Sequence, residues 1–283
     1  MAILAVLWGT ALLIALILGA VAMVRSQVAA VDVSTRGAQA RALAEAGIQR
    51  AVAELTLVRE TERWRADGTP HELLLADGSI EVSIQDASGL VDINAASEEL
   101  LRGLIGIVGP GGEQGSALAD AILDWRDVDN VRRPHGAEDG DYRHAALAHG
   151  AGDGPFDSIE QLRQVMGMNA EIYDRISPWV TVYSGSTGVN PQLAPEPVLR
   201  SIPGFGGAHA ARSYVDSRVA LPAGTPSGRE PATEIQPQSQ AAGMVYRIDA
   251  RAVTASGDRA RIVATIRLSP VGREPYAVLS WRE

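Results

Sequence analysis

Residues 1–24 read MAILAVLWGTALLIALILGAVAMV and carry no charged side chain; Arg25 is the first charge. At about 1.5 Å per residue such a helix reaches about 36 Å, enough to cross a hydrocarbon core of about 30 Å. A secretory signal peptide would open on basic residues, hold a shorter apolar run and end at a small-residue cleavage site. No basic start is visible here. Helix-compatible sequence instead continues through Arg36, Ala40, Leu43, Ala44, Gly47, Ile48, Ala51, Val52 and Leu55. The stretch reads as one helix of about 55 residues, apolar first and amphipathic later. The plainer alternative is a bare single-span anchor.

Working outward, Arg59 to Gly78 is polar and rich in turn formers. Ser79 to Asp86 then alternates apolar and polar, as a half-buried strand does. Near the C-terminus, Val245 to Val253, Arg261 to Leu268 and Tyr276 to Trp281 also read as strands. The turns Thr254 to Asp258 and Ser269 to Gly272 join them. Short turns between neighbouring strands imply an antiparallel sheet, and a long helix on one face of it gives an α+β layer arrangement.

Between the first of these strands and the last three lie residues 89–243, with helical patterning. A weak repeat runs through them. Asn94 to Leu101 leads to Leu104-Ile105-Gly106-Ile107, Phe156 to Leu162 leads to Val165-Met166-Gly167-Met168, and Pro197-Val198-Leu199 leads to Ile202-Pro203-Gly204-Phe205. Each unit reads as a helix ending at a glycine turn, with another helix following. The pattern is similar to helix-hairpin-helix units, which bind DNA phosphates through backbone amides. The segments Pro191 to Pro197 and Leu221 to Gln240 read as loops.

Bulk composition narrows the function. The 283 residues are 46% hydrophobic and 21% charged, as in a globular protein with a packed core. Net charge is −9 and lysine is absent, which argues against a general nucleic-acid binder. Glu98, Glu99, Glu113, Asp157 and Glu160 surround the repeat turns. No cysteine is present, so disulfides and thiolate metal sites are excluded. The five histidines His71, His135, His144, His149 and His209 form no HExxH pair, and no nucleophile elbow or phosphate loop appears. An enzyme is not expected.

The acidic loop from Asp120 to Tyr142 holds the strongest chemical constellation. Asp124, Asp127, Asp129, Glu138, Asp139 and Asp141 crowd together with Asn130, while Gly136 and Gly140 allow tight bends. Hard cations such as calcium take six to eight oxygen ligands from loops of this kind. The spacing is not that of an EF-hand. Composition alone favours a solvated acidic loop partly neutralised by Arg126, Arg132, Arg133 and Arg143.

Several motifs in order carry a resemblance. They are Asp86-Ala87-Ser88-Gly89-Leu90-Val91-Asp92-Ile93-Asn94, then Asp124-Trp125-Arg126-Asp127-Val128-Asp129, then Gly136-Ala137-Glu138-Asp139, then Phe156-Asp157-Ser158-Ile159-Glu160-Gln161-Leu162, and Tyr276-Ala277-Val278-Leu279-Ser280-Trp281. With the N-terminal helix, which resembles the start of type IV pilins and pseudopilins just after the prepilin cut, they look like the general secretion pathway protein K family of type II secretion. The short basic leader that precedes that cut is not in the sequence.

The resemblance implies a pilin-like long helix on a small antiparallel sheet, with a large inserted α-helical domain. The divisions are a transmembrane part of the helix (1–24), its periplasmic part (25–58), the first part of the sheet domain (59–88), the insert (89–243) and the C-terminal strands (244–283). It implies a minor pseudopilin at the tip of the filament, complexed with minor pseudopilins I and J above the major pseudopilin G. The anchor would lie in the inner membrane with the folded part in the periplasm, although Arg25, Arg36 and Arg41 alone would draw their end to the cytoplasm. It implies structural calcium, and the expected ligands are Asp124, Asp127, Asp129, Glu138 and Asp139. Leu4, Ala5, Leu7, Leu12, Ile14, Leu18, Leu43 and Ile48 are the expected partner-facing positions of the helix. Most pseudopilins carry Glu where this chain has Ala5; a subunit with no neighbour above it gains nothing from that charge. The alternative is a membrane-anchored helix-hairpin-helix DNA receptor.

Overall fold

The computed structural model describes residues 2–57, 64–219, 244–269 and 275–283, without the side chains of residues 5, 11, 15, 21, 22 and 24–34. The expected loop Leu221 to Gln240 and the centre of the turn Ser269 to Gly272 lie outside the described residues. So does the side chain of Ala5.

Helix α1 runs unbroken over Ala2–Leu55. Its two halves have opposite surroundings. Ile3, Leu4, Leu7, Trp8, Leu12, Ile14 and Leu18 are exposed, each by more than half. From Ala40 onward one stripe is buried, through Ala44, Ile48, Ala51, Val52 and Leu55. The spacing of four, four, three, one and three is that of one helical face. Small residues on this stripe let the helix lie close against the sheet.

The sheet has five antiparallel strands. In chain order they are β1 (Asp67–Leu75), β2 (Gly78–Asp86), β5 (Val245–Thr254), β6 (Arg259–Leu268) and β7 (Tyr276–Arg282), and they neighbour one another in that order. Strand alternation sends Ile80, Val82, Ile84, Ile248, Ala250, Ala252, Ile262, Ala264 and Ile266 to the α1 face, where they form one core with the helix stripe. β1 corrects the reading of Arg59 to Gly78 as turns. It is an edge strand with Pro70 and a register shift between Asp67 and Pro70, both tolerated where one side has no ladder to complete.

The insert occupies the chain between β2 and β5. It contains β3 (Val91–Asp92), α2 (Glu98–Val108), α3 (Gly112–Arg126), α4 (Asp139–His144), α5 (Ala170–Ile176), β4 (Val180–Thr181), α6 (Glu196–Ser201) and α7 (Gly207–Val219). β3 and β4 pair in parallel. Ser97 caps α2 by accepting from Leu100 N–H at 3.3 Å, and Asn169 caps α5 by accepting from Ile172 N–H at 2.9 Å. The insert has its own apolar core, including Leu100, Leu104, Ile122, Tyr142, Leu162, Ile176 and Leu199, separate from the sheet core.

The glycine repeat is partly corrected. Gly167 and Gly204 do take left-handed φ, at 84° and 75°, between helical segments. Gly106 does not end a helix, since α2 continues to Val108 and the turn falls at Gly109–Gly111. The neighbouring Gly103 shows why glycine suits this helix interior. A Cβ there would sit 2.5 Å from the Ser201 carbonyl of α6.

Insert and sheet are fastened by polar bonds. Arg247 of β5 donates to the carbonyls of Ser177, Pro178 and Val180 at 3.2, 2.9 and 2.5 Å. Arg282 of β7 reaches Glu160 at 3.0 Å. Gln85 of β2 donates to the Leu193 carbonyl at 2.9 Å, and buried Arg218 of α7 faces buried Asp67 at 3.3 Å.

Candidate metal centre in the acidic loop

The loop hangs from the C-terminal end of α3 and returns at α4. Asp120 and Asp124 lie one helical turn apart on α3, both buried. Asp120 pairs with Arg102 of α2 and accepts from His135 N–H at 3.1 Å. Asp124 accepts from Arg133, from its backbone N–H at 3.2 Å and from its Nη1 at 2.6 Å; the same Nη1 reaches Asp127 at 2.6 Å. These bonds fold residues 127–136 back onto the helix. Gly136 passes so close that a Cβ would fall 1.9 Å from Asp124 Oδ2. The Trp125 ring stacks on Phe156 at 5.7 Å and meets Tyr142 edge-on, so the far end of the loop is tied to the core.

Of the expected ligands, Asp127, Asp129 and Glu138 come together, with one carboxylate oxygen of each within 4.8 Å of the others. Asp124 adjoins them but is bridged by Arg133. Asp139 is turned elsewhere: its Oδ1 accepts from Ala151 N–H at 3.1 Å, and its Oδ2 faces Arg143 at 4.0 Å. The physical reason is its place at the start of α4, where the carboxylate meets the returning 149–151 segment.

Glu138 is the key group. It is buried, and neither of its carboxylate oxygens has a hydrogen-bond partner; Asp127 Oδ1 is in the same condition. Burial first, and then the carboxylates of Asp124, Asp127, Asp153 and Asp129, push the Glu138 carboxyl up to about 7. Unpartnered buried carboxylate oxygens are costly. A hard cation would satisfy all of them at once, and the all-oxygen donor set fits calcium better than a softer metal. Asp153 was not among the expected ligands. It sits in the glycine-rich run 150–154 with left-handed φ of 46°, and no local acidic spacing announces it.

Elsewhere the expected partner stripe is narrowed. Ile48 is buried in the chain's own core and Leu43 packs against it, because their half of α1 lies on the sheet. Both are corrected out of the partner-facing set. Leu4, Leu7, Leu12, Ile14 and Leu18 stay exposed. The segment Ala2–Ala20 is long and apolar enough to cross a membrane, with mean hydropathy 2.5 and none of it buried.

Residues 77–185 match the family model described as type II secretion system, protein K. A type II secretion system protein K from Klebsiella pneumoniae is 26% identical over 44% of this chain and 42% of its own length. One from Dickeya chrysanthemi is 33% identical over 30% of this chain and 23% of its own. The chain thus spans less than half the length of these curated relatives. A chain in the crystal structure of the GspK-GspI-GspJ complex of enterotoxigenic Escherichia coli shares the fold, with TM-score 0.60, 18% identity, and coverage of 89% of this chain and 98% of that one. Residues 77–185 hold β2, the α2–α3 hairpin and the whole acidic loop, so the likeness to type II secretion system protein K covers the first half of the insert and the strand that leads into it.

Proposed function

We propose that this chain is a minor pseudopilin of the type II secretion system, placed at the tip of the pseudopilus with minor pseudopilins I and J, where it initiates and caps the filament. The observation that carries the reading is α1 itself. A single helix is buried against its own sheet at one end and offers an unpartnered apolar stripe at the other. That stripe is stable in lipid, and on leaving it needs other helices. The likeness to a chain of a GspK-GspI-GspJ complex supports I and J as those partners. On this reading α1 anchors the protein once in the inner membrane, the folded part lies in the periplasm, and the major pseudopilin G follows below. The bulk of the insert would hinder addition of a further subunit above. The role is structural and needs no catalytic group.

Calcium belongs to the same proposal. Asp127, Asp129 and Glu138 would hold it, with Asp124 and Asp153 close by, and its charge would offset their mutual repulsion. The DNA-receptor alternative is less well supported, because Glu98, Glu99 and Glu113 flank the α2–α3 turn and no lysine exists to meet a phosphate.

The absence of native cysteine allows a clean test. Leu7→Cys or Ile14→Cys should cross-link in membranes to single cysteines in the matching helices of I or J. Ile48→Cys, facing its own sheet, should not. Cross-linking equal at all three positions would contradict the assignment of the stripe.

A further inference from the structure

The acidic loop carries a cation of its own. Arg133 Nη1 lies 2.6 Å from Asp124 Oδ1 and 2.6 Å from Asp127 Oδ2. The Asp124 side chain is fully buried, while that of Arg133 is 30% exposed. One guanidinium thus holds two carboxylates through charge-assisted bonds. The neutralisation stops there. Asp127 Oδ1 is buried and unpartnered, and so are both carboxylate oxygens of Glu138, a residue only 6% exposed. Among the described residues Arg133 pairs with neither Asp129 nor Glu138. Yet Asp127, Asp129 and Glu138 bring one oxygen each within 4.8 Å of the others. Asp127 therefore has one oxygen taken by the arginine and one left over for another cation.

The path of the loop does not depend on that guanidinium alone. The Arg133 backbone N–H donates to Asp124 at 3.2 Å, and the His135 N–H donates to Asp120 at 3.1 Å. Gly136 lies against Asp124 so closely that only a residue without a Cβ fits. These are backbone features, and a change of side chain at position 133 leaves them in place.

We infer that Arg133 is a tethered cation that sets how tightly this loop holds calcium: it keeps Asp124 and Asp127 together when the ion is gone, shares Asp127 with the ion when it binds, and by its charge holds the affinity down. The inference rests on the calcium reading proposed above. Two positive charges on one carboxylate repel, and the repulsion grows where water is scarce. The affinity of an all-oxygen site follows its ligand charge and its rigidity. Arg133 offsets one charge of the set Asp127, Asp129 and Glu138. The rigidity comes largely from the backbone bonds at residues 133–136, so removal of the side chain lifts the repulsion and costs little preorganisation. A site restrained in this way fills only where calcium is abundant, and the arginine keeps the emptied loop folded.

Isothermal titration of calcium chloride into the full chain in detergent micelles gives the reference affinity. Arg133→Gln should bind calcium about tenfold more tightly, a moderate value for one screened like charge beside the ion. Its melting temperature should fall in chelator, where buried Asp124 has lost its partner, and recover in saturating calcium. Arg133→Lys restores the charge and should bring the affinity back toward that of the unsubstituted chain. Arg132→Gln removes an exposed arginine one residue away, paired with Asp141 at 3.0 Å, and should change affinity by less than about twofold. Chelator competition begun from the calcium-loaded protein yields the same constants for a variant that unfolds when emptied. Saturable binding by the unsubstituted chain, with equal or weaker binding by Arg133→Gln, would overturn the inference and leave calcium in place. An unsubstituted chain that binds no calcium would remove both.

Discussion

Ile48 on α1 and Tyr142 in the insert are both fully buried, yet different forces hold them. Around Ile48 the core is apolar throughout: a helix stripe against three sheet strands, with their ladders complete. Around Tyr142 the apolar core borders Asp120, Asp124 and Glu138, and burial pushes the phenol up to about 12. The helix-and-sheet unit is stabilised by area removed from water and is indifferent to ions. The insert carries charge at its edge, where Arg102 and Arg133 pair with Asp120 and Asp124, and on the calcium proposal its order also depends on a bound cation. On the filament role proposed above, the protein gains from a scaffold insensitive to conditions. The insert can then be the part that responds.

The largest expected effect tests the scaffold. Ile48→Ala should cost about 3–4 kcal/mol, the usual loss for a buried aliphatic side chain whose site cannot collapse. In chemical denaturation it should unfold the sheet core first and leave the insert's melting in calcium unaltered. A loss shared by both cores would mean they are not separate units.

Next comes the cation. Removing calcium should destabilise the insert by about 2.7 kcal/mol relative to a concentration of one hundred times Kd, by mass action. Hydrogen exchange should then rise in residues 124–142 and not in β5 or β6. An unchanged melting temperature in chelator would remove calcium from the account.

A smaller effect concerns pH in chelator. The folded-state pKa of Glu138, about 7, lies above its ordinary value of 4.5. The protonated form is therefore favoured by folding. Its contribution is present below pH 4.5 and is lost as pH rises through about 7. Glu138→Gln should flatten that fall in stability while abolishing the response to calcium. A pH profile parallel to the unsubstituted protein's would show that Glu138 does not carry it.

The smallest effect lies at the seam. Arg282→Gln removes a partly exposed pair with Glu160 and should cost under about 1 kcal/mol. A larger loss would mean that the two regions lean on each other more than their separate cores imply.

Strands β2, β5 and β6 were legible because each alternates over a half-buried face, β7 because it follows a turn signal, and α1 because residues 1–24 carry no charge and helix-compatible sequence continues past them. β1 was hidden. Its DGTPHELLL carries Gly68, Pro70 and an exposed Leu74, which an edge strand accommodates and a pattern search rejects. Gly106 misled because a helix can pass through a glycine with open space beside it, as nothing lies within 4 Å of a Cβ there, at a cost of only about 1 kcal/mol relative to alanine. In the site, Asp127 and Asp129 announced themselves by spacing. The bridge from Arg133 to Asp124, the turning of Asp139 to Ala151 and the approach of Asp153 arise only when α3, α4 and the 149–154 run meet in space.

The central claim is met most directly by mixing the soluble region, residues 25–283, with the periplasmic parts of minor pseudopilins I and J in calcium and weighing the products by size exclusion with light scattering. One stable complex containing all three proteins is the expected result. A chain that stays monomeric in the presence of both would contradict the tip assignment and leave only the fold.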